Sequence, residues 1–331
     1  MIAIKSNEII GDMVEGIRSM GGKKVLLSGG AGFLGSWMAE ALLYLGAEVT
    51  VVDDLSTGRI ENLQAINGKD GFMFIKGDAG SVDASGYDIL IHAASIPSPD
   101  DYMRRPVRTA LSNFSGLLNF LRAESTRLLY FSSSEVYGDP KIVPTPENYW
   151  GNVNPVGVRS CYDESKRFGE AICMAYKREI GRNIAIARIH NTYGPRMDPQ
   201  GIYARAIPRF IRQALSGRAI TIYGDGLQTR SFTYVSDMIR GLLLLLQSNE
   251  TGPINLGSET ETSIKELAEK IIGLTSSFSG ISYLPPEPDD PKRRRPDIGL
   301  ARKSLGWQPR VSLEEGLKLT IEWFIKSGYT I

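Results

Sequence analysis

The sequence predicts an α/β protein whose core is a doubly wound parallel sheet, joined to a smaller C-terminal domain. Through residue 190, short apolar segments of strand length alternate with segments of helical periodicity, a pattern typical of a parallel sheet with helices on both faces. A glycine-rich turn, Gly29 to Gly35, follows the first strand, and Asp53 closes the second strand. A strand, such a turn, a helix and a later acid together indicate the Rossmann-type arrangement that binds dinucleotides.

The composition argues against several classes of partner. Of the 331 residues, 42% are hydrophobic and 23% are charged, and the net charge is +1, so nothing favours nucleic acid. The apolar run 242–246 is much shorter than the ~20 residues of a membrane span, so no membrane association is expected. Cys161 and Cys173 fall in one predicted helix, which indicates reduced thiols and a cytoplasmic protein. No metal site is expected.

The elements follow from the periodicity of the apolar residues. Residues 1–22 form an N-terminal extension, predicted as one helix packed on the body. Residues 23–190 form the dinucleotide-binding domain, with helices over 101–123 and around Tyr162. Its strands are predicted at 23–28, 48–52, 72–75, 88–93, 128–131 and 183–189. Residues 191–331 are mainly a substrate-binding domain, and segments at about 228–260 return to the sheet.

The turn contains Gly29, Gly32 and Gly35 at three-residue spacing, between a strand and a helix. Glycine permits the tight turn and lets backbone N–H groups and the helix N-terminus meet a pyrophosphate. A plain strand-to-helix turn is the alternative, but the strand before it and the acid after it favour a dinucleotide site. Phe33 and Leu34, within the same turn, are therefore predicted cofactor contacts.

Asp53 is placed to accept hydrogen bonds from the adenosine ribose, and its charge would repel a 2′-phosphate, which favours NAD over NADP. Arg59, nearby in sequence, leaves NADP open. Asp54 is a second candidate or a turn carboxylate, and Asp78 is either an adenine contact or a turn residue. The other predicted cofactor contacts are Ala79, Ala93, Ala94, Ser95, Asn113 and Ser132.

Tyr162 and Lys166 are four residues apart in a predicted helix, so their side chains share one face. An ammonium beside a phenol favours the phenolate, and a nicotinamide cation would favour it further, which moves the pKa toward the working range of a base. Ser133 is the third candidate, a hydroxyl that can pass the proton of a substrate alcohol. The spacing alone is weak evidence, since 14 Tyr produce such spacings by chance. Its weight comes from the neighbouring motifs.

Acidic and basic residues complete the predicted site. Glu135, beside Ser133 and Ser134 at a strand end, is expected to point into the site, with a solvated loop carboxylate as the alternative. Guanidinium groups match phosphate and carboxylate oxygens, although any one of these arginines taken singly is more often a surface residue. The candidates are Arg196, Arg205, Arg230 and Arg294.

From about residue 23 onward the chain resembles the extended short-chain dehydrogenase/reductase family of nucleotide-sugar enzymes. The matching stretches are 94–99, 102–106, 133–140, 149–155, 161–167, 191–197, 228–230 and 289–297. The glycine turn and the Tyr-x-x-x-Lys spacing are generic to that superfamily, whereas the stretches 94–106 and 149–155 are more specific. Two departures are Ser133, where threonine is usual, and His190, where an apolar aromatic residue is usual.

The resemblance implies a role for each matching residue. Tyr162 would be the base, Lys166 would tune it and hold the nicotinamide ribose, and Ser133 would contact the reacting hydroxyl. Glu135 and Arg294, with Ser134, match positions of acid/base chemistry and carboxylate handling. Asn191 and Arg230 match diphosphate contacts, and Asn113 matches a structural asparagine. The remaining implied substrate contacts are Pro97, Tyr102, Arg196, Arg205 and Tyr223.

The resemblance also implies an activity: NAD-dependent oxidation of a UDP-sugar at C4, followed by decarboxylation of UDP-glucuronate to UDP-xylose. It implies a homodimer paired through the helices that begin near Asp101 and Ser160. A 4,6-dehydratase typically has an acid where Ser134 stands, and a 4-epimerase commonly has a small residue where Glu135 stands. A non-catalytic NAD(H) sensor of the same fold would not need Tyr162, Lys166 and a hydroxyl together.

Overall fold

The computed structural model describes residues 6–198 and 205–327. The strands are β1 (Lys24–Ser28), β2 (Glu48–Asp53), β3 (Phe72–Lys76), β4 (Ile89–His92), β5 (Arg127–Ser133), β6 (Ile184–Ile189), β7 (Thr192–Tyr193), β8 (Ile220–Tyr223), β9 (Thr229–Ser231), β10 (Thr233–Tyr234), β11 (Pro253–Leu256), β12 (Glu261–Ser263), β13 (Ile281–Leu284) and β14 (Arg293–Arg294). The helices are α1 (Ser6–Val14), α2 (Phe33–Tyr44), α3 (Pro99–Arg104), α4 (Pro106–Arg122), α5 (Ser160–Ile180), α6 (Ala206–Leu215), α7 (Val235–Gln247), α8 (Ile264–Thr275), α9 (Gly299–Leu305) and α10 (Leu313–Lys326). The segments Ile60–Leu63 and Ser134–Tyr137 are single 3₁₀ turns.

A seven-stranded parallel sheet lies at the centre, in the order β11-β6-β5-β4-β1-β2-β3. From β1 the chain builds outward on one side through β2 and β3, and on the other side through β4, β5 and β6. The direction of winding therefore reverses between β1 and β4, whose last residues, Ser28 and His92, are paired. Ligands of doubly wound sheets bind beyond the strand ends at such a reversal.

Alternate side chains of the strands enter two separate cores. Val25 and Leu27 face a core that also contains Trp37 of α2 and Leu242 of α7. Leu26 faces the other core, with residues of α4 and α5. This two-sided burial is what the near-continuous apolar strands require. The predicted fold class, a doubly wound parallel α/β sheet, is confirmed.

The N-terminal segment packs on the body through α1. Ile10 and Met13 of α1 are buried in the core shared with α2 and α7. Beyond the helix, the backbone N–H of Arg18 donates to Gln247 Oε1 at 3.0 Å, and its guanidinium donates to the Gln247 carbonyl at 2.8 Å. These contacts attach the extension to the end of α7.

The single helix expected over 101–123 was wrong, because the structure has two helices, α3 and α4, separated at Arg105. Arg105 leaves the helical region, with φ −128° and ψ 55°. It precedes Pro106, and a proline ring disfavours the α conformation in the residue before it. Pro106 then starts α4, where its missing N–H costs nothing.

Residues after Asn191 lie largely outside the central sheet, in a three-stranded sheet β12-β9-β14 and a pair β13-β8, with α6, α8 and α10. Two elements return to the centre: β11 pairs with β6, and α7 is buried against the sheet. In the part of the chain that the structure describes, no helix is long and apolar enough to cross a membrane.

Candidate active site

The glycine turn is built by close backbone contacts. Gly29 has φ +72°, and a Cβ placed there would lie 2.6 Å from Ala94 Cα. A Cβ on Gly35 would collide with the Gly29 carbonyl oxygen. Gly32 caps α2 without a side-chain hydrogen bond, so it leaves the first N–H groups of that helix without a side-chain acceptor. This cradle fits the pyrophosphate of a dinucleotide.

Asp53 ends β2 beside this turn and is buried. Its Oδ2 accepts from the Ala31 N–H and its Oδ1 from the Leu55 N–H, each at 2.9 Å. Burial raises the pKa of Asp53, and these two backbone hydrogen bonds oppose the rise. Each carboxylate oxygen keeps a further lone pair, so the side chain fits a ribose diol.

The other acids near the turn have partners of their own. Asp54 lies 3.1 Å from an Arg108 Nη atom, and Asp78 accepts from the Gly80 N–H at 2.6 Å within a turn. Arg59, the residue that allowed NADP as the alternative cofactor, lies 3.6 Å from Asp198.

A hydrogen-bonded chain connects β4 to the helix that carries the predicted base. Ser95 Oγ donates to Asn113 Oδ1, Asn113 Nδ2 donates to Ser165 Oγ, and Ser165 Oγ donates to the Tyr162 carbonyl, each at 2.8 Å. Ala93 and Ala94 stand between this chain and the glycine turn. His92 is buried, and burial lowers its pKa to about 3, so it is a neutral residue of the strand end. The Ala79 carbonyl accepts from Asn119 at 2.9 Å.

Tyr162 is buried, and the side chains of Ser133 and Ser95 are near enough to its hydroxyl to oppose a rise of its pKa. Lys166 Nζ lies 5.8 Å from the Tyr162 ring centroid and donates to the Phe131 carbonyl at 2.9 Å. Burial lowers the pKa of Lys166 to about 7. Tyr102 stacks on Tyr162 with ring centroids 5.2 Å apart.

The expected lowering of the Tyr162 pKa is not seen. Burial is the largest influence and raises the pKa of the phenol, although Arg205 and the nearby side chain of Ser133 oppose the rise. The lysine is itself desolvated and bonded to a backbone carbonyl, so its charge is only weakly available to the phenol.

Glu135 lies between two guanidinium groups at the carboxyl end of β5. Arg294 donates to both of its oxygens, at 2.5 and 2.8 Å, and Arg159 donates to Oε2 at 3.0 Å. Burial raises the pKa of Glu135, but the two arginines outweigh burial and lower the pKa to about 2. Glu135 is therefore ionised. Successive side chains of a strand point to opposite faces, so on β14 Arg294 is buried in the cluster, whereas Arg293 is exposed and pairs with Glu261.

Arg159, Asp290 and Asp163 adjoin this cluster and were missed from the sequence. Arg159 also lies 3.6 Å from Asp290, and Asp290 is held by Arg230 at 2.8 Å. Asp163 is buried, and its Oδ1 has no hydrogen-bond partner among the described residues. The available signal was position, since Arg159 stands one helical turn before Tyr162.

Two predicted residues have their side chains engaged elsewhere. Arg196 stacks on Trp37 at 3.6 Å and pairs with Glu40. Ser132 Oγ donates to Glu170 at 2.5 Å, on the side of β5 that carries the Arg188 ion pair.

The other predicted contacts lie on several different elements. Asn191 Nδ2 donates to the Ser231 carbonyl at 3.3 Å, and Tyr223 lies beneath Arg209 at 4.9 Å. Arg205 and Pro97 are exposed, whereas Ser134 is buried in the turn that carries Glu135.

The sequence matches a model of the NAD dependent epimerase/dehydratase family over residues 25–257, more than half of the chain. The chain belongs to this family. Membership confirms the predicted family and NAD as the cofactor, and the glycine turn and Asp53 provide a fitting site for it. No group of three or more His, Cys, Asp and Glu side chains able to hold a metal occurs within 6–198 and 205–327.

Several relatives within this family are similar over most of the chain. The protein is 47% identical to UDP-glucuronic acid decarboxylase 1 of Danio rerio, over 91% of this chain and 72% of that protein. It is also 47% identical to UDP-glucuronic acid decarboxylase 3 of Arabidopsis thaliana, over 91% of this chain and 89% of that protein.

Solved structures of the family share the fold. UDP-glucose 4-epimerase of Thermotoga maritima, solved with UDP-glucose, matches with a TM-score of 0.85 and 31% identity, over 92% of this chain and 99% of that chain. The dTDP-glucose 4,6-dehydratase of Streptomyces venezuelae, solved with NAD, matches with a TM-score of 0.85 and 27% identity, over 93% and 98%.

Proposed function

We propose that this protein is an NAD-dependent decarboxylase that converts UDP-glucuronate to UDP-xylose through a transient 4-keto sugar. The observation that carries the proposal is the arginine pair at Glu135, which stands two residues after Ser133 and, like Ser133, influences the Tyr162 hydroxyl. A sugar oxidised at C4 needs the phenol, and a sugar with a C6 carboxylate needs guanidinium groups. The identity to UDP-glucuronic acid decarboxylases supports the same reaction.

The cofactor is assigned to the cradle at the reversal point of the sheet. Gly29, Gly32 and Gly35 would hold the pyrophosphate, and Asp53 would hold the adenosine ribose. NAD bound there supplies a reversible hydride acceptor for the sugar C4 and a positive charge beside the phenol. Because burial raises the pKa of Tyr162, an added cation is needed to bring it toward neutrality.

Tyr162 would take the proton of the C4 hydroxyl, and Ser133 would hold that hydroxyl and relay the proton. The C4 ketone formed lies β to the C6 carboxylate. Cleavage of the C5–C6 bond then releases CO₂, and its electron pair forms an enolate with the ketone oxygen. Tyr162, now protonated, can donate a hydrogen bond to that oxygen. A solvent proton added at C5, return of the hydride to C4 and return of the Tyr162 proton to the C4 oxygen complete UDP-xylose and restore the cofactor.

Glu135 would position the arginines and not serve as the proton donor in this resting arrangement. Its pKa of about 2 leaves it ionised at neutral pH. Arg294, Arg159 and Arg230 carry three positive charges against the two negative charges of Glu135 and Asp290, and this excess of one charge suits the approach of one substrate carboxylate.

The test is incubation of the purified protein with UDP-glucuronate, UDP-glucose and dTDP-glucose, with product masses as the readout. Loss of about 44 mass units, one CO₂, from UDP-glucuronate supports the proposal, in line with β-keto acid chemistry. Unchanged mass with altered stereochemistry would indicate a 4-epimerase, and loss of water a 4,6-dehydratase. Absence of turnover with retained NAD binding would favour the alternative of a non-catalytic NAD(H) sensor.

Replacement Tyr162→Phe is expected to lower turnover by at least about 10²-fold, because it removes the proton-transferring hydroxyl. The measurement is the rate of product formation at saturating substrate, and the control is unchanged NAD binding. Tyr102→Phe, which alters the phenol stacked on Tyr162, should cost far less. Full activity of Tyr162→Phe would refute the assignment of the base.

We also propose a homodimer in the cytoplasm. Val107, Leu111 and Phe168 are large apolar side chains exposed on α4 and α5, with 71%, 62% and 50% of their surface accessible. Phe168 contacts Phe114 across these helices, with ring centroids 5.1 Å apart. A second copy that covered this face would remove it from water. Both cysteines are free thiols, which supports a reducing compartment.

A further inference from the structure

The connector between β13 and β14, residues 285–292, brings a carboxylate onto the proposed substrate site. Arg230 Nη2 lies 2.8 Å from each oxygen of Asp290, and Arg159 Nη1 lies 3.6 Å from Oδ1. Arg230 is buried on β9, and burial lowers its pKa while Asp290 opposes that effect. A buried guanidinium needs an anion, and the chain provides one.

The two carboxylates of the cluster are held differently. The side chain of Glu135 is 16% exposed and receives three hydrogen bonds from two arginines. The side chain of Asp290 is 30% exposed, and it lies on a connector that contains Pro285, Pro286 and the exposed Asp289. Asp290 is therefore the easier of the two to displace, since its release breaks two hydrogen bonds instead of three and rehydrates a carboxylate already near water.

We propose that Asp290 is an internal counter-anion, which holds Arg230 and Arg159 between turnovers and is displaced by the diphosphate of the incoming nucleotide sugar. This inference rests on the proposed function, because it takes Arg230 as a diphosphate contact. A diphosphate brings more charge and more acceptor oxygens than one carboxylate, so the exchange favours the ligand. Each binding event must nevertheless break the Asp290 ion pairs, so the resting contact weakens the observed affinity.

The test is calorimetric titration of UDP into the NAD-loaded wild-type protein, Asp290→Asn and Asp289→Asn. Asp290→Asn keeps the shape of the side chain but removes the competing charge, so its Kd for UDP should fall roughly 5- to 10-fold. Asp289→Asn makes the same change in net charge one residue away, where the carboxylate accepts from Asn154 at 3.5 Å. Its Kd should change less than about twofold, as expected for an exposed charge.

The contrary outcomes are distinct. An unchanged or higher Kd in Asp290→Asn would overturn the inference, because Asp290 would then orient Arg230 for the ligand or play no part. Equal gains in both variants would mean a general effect of charge and would also overturn it, as would failure of all three proteins to bind UDP. Asp290→Ser provides a second removal of the carboxylate, and thermal unfolding verifies that each variant is folded.

These titrations need no turnover. Wild-type protein that binds UDP but leaves UDP-glucuronate intact would refute the proposed decarboxylation and leave the role of Asp290 to be decided by the Kd values.

Discussion

Asp163 follows the proposed base and faces the charged cluster. Burial is the largest influence on its carboxyl and raises the pKa to about 7. Glu135 and Glu164 raise the pKa further, whereas Arg159 and Arg294 lower it. The group therefore binds its proton more tightly in the folded protein than in the unfolded chain, where the pKa is 3.8. Its contribution to stability is complete below about pH 4 and is lost as the pH rises through about 7.

Replacement Asp163→Asn removes this titration. The free energy of unfolding of the variant, relative to that of the wild type, is expected to rise by roughly 1 to 4 kcal/mol as the pH rises from 4 to 7. Above pH 7 this difference should stay constant. Urea unfolding at pH 5, 6, 7 and 8 measures the difference. Glu164→Gln, on the partly exposed side of the same turn, removes a carboxylate that is the smallest of the influences on the pKa of Asp163, so as the control it should reproduce only a small part of the change. A difference between Asp163→Asn and wild type that stays constant over this range would contradict the buried acid.

For single residues, the sequence predicted which side chains belong to the site better than it predicted the partners that those side chains contact. Tyr162, Ser133 and Glu135 could be selected because each belongs to a short motif with a chemical rationale. Arg159 had only its position before Tyr162 as a signal, and its ion pair with Asp290 was not predictable, because it joins segments that are distant in the chain and meet only after folding. The raised pKa of Tyr162 could not be predicted from the sequence either, since it depends on burial and not on the spacing to Lys166.

Among the elements, α1 offers a clear test of packing. Met13 is fully buried against the α2 and α7 core, whereas a Cβ added at Gly11 of the same helix meets open space. Met13→Ala should lower the free energy of unfolding by about 2 to 4 kcal/mol, through lost burial and a cavity. Gly11→Ala should raise it by up to about 1 kcal/mol, through helix propensity. Urea unfolding midpoints measure both changes, and equal midpoints for Met13→Ala and wild type would mean that α1 does not stabilise the body.

The elements themselves were largely predictable, because apolar strands, the glycine turn and amphipathic helices are local signals. The helix over 101–123 shows where such reasoning fails. Its apolar periodicity continues through Arg105 and Pro106, but the conformational restriction before proline interrupts the backbone. A local steric rule there outweighs the pattern of burial.

For the whole molecule, the exposed face of α4 and α5 predicts how copies associate. In the proposed dimer, Phe168→Glu would place a charge in the two-fold interface, once from each copy. If each copy loses about 2 kcal/mol, the dimer dissociation constant should rise about 10³-fold. Light scattering over a dilution series measures the mass. Ile142→Glu, a comparable change outside α4 and α5, should leave the mass unchanged. A Phe168→Glu protein with an unaltered dimer mass would place the interface elsewhere.

The route of the chain limits how the protein can be divided. Residues 253–256 pair with residues 186–189, so the edge strand of the dinucleotide-binding sheet comes from the second half of the sequence. A fragment ended at residue 190 would keep the glycine turn and the phenol yet present a bare row of N–H and C=O groups on β6. Such an edge seeds association with other chains, so a smaller coenzyme-binding scaffold derived from this protein must retain residues through at least 256.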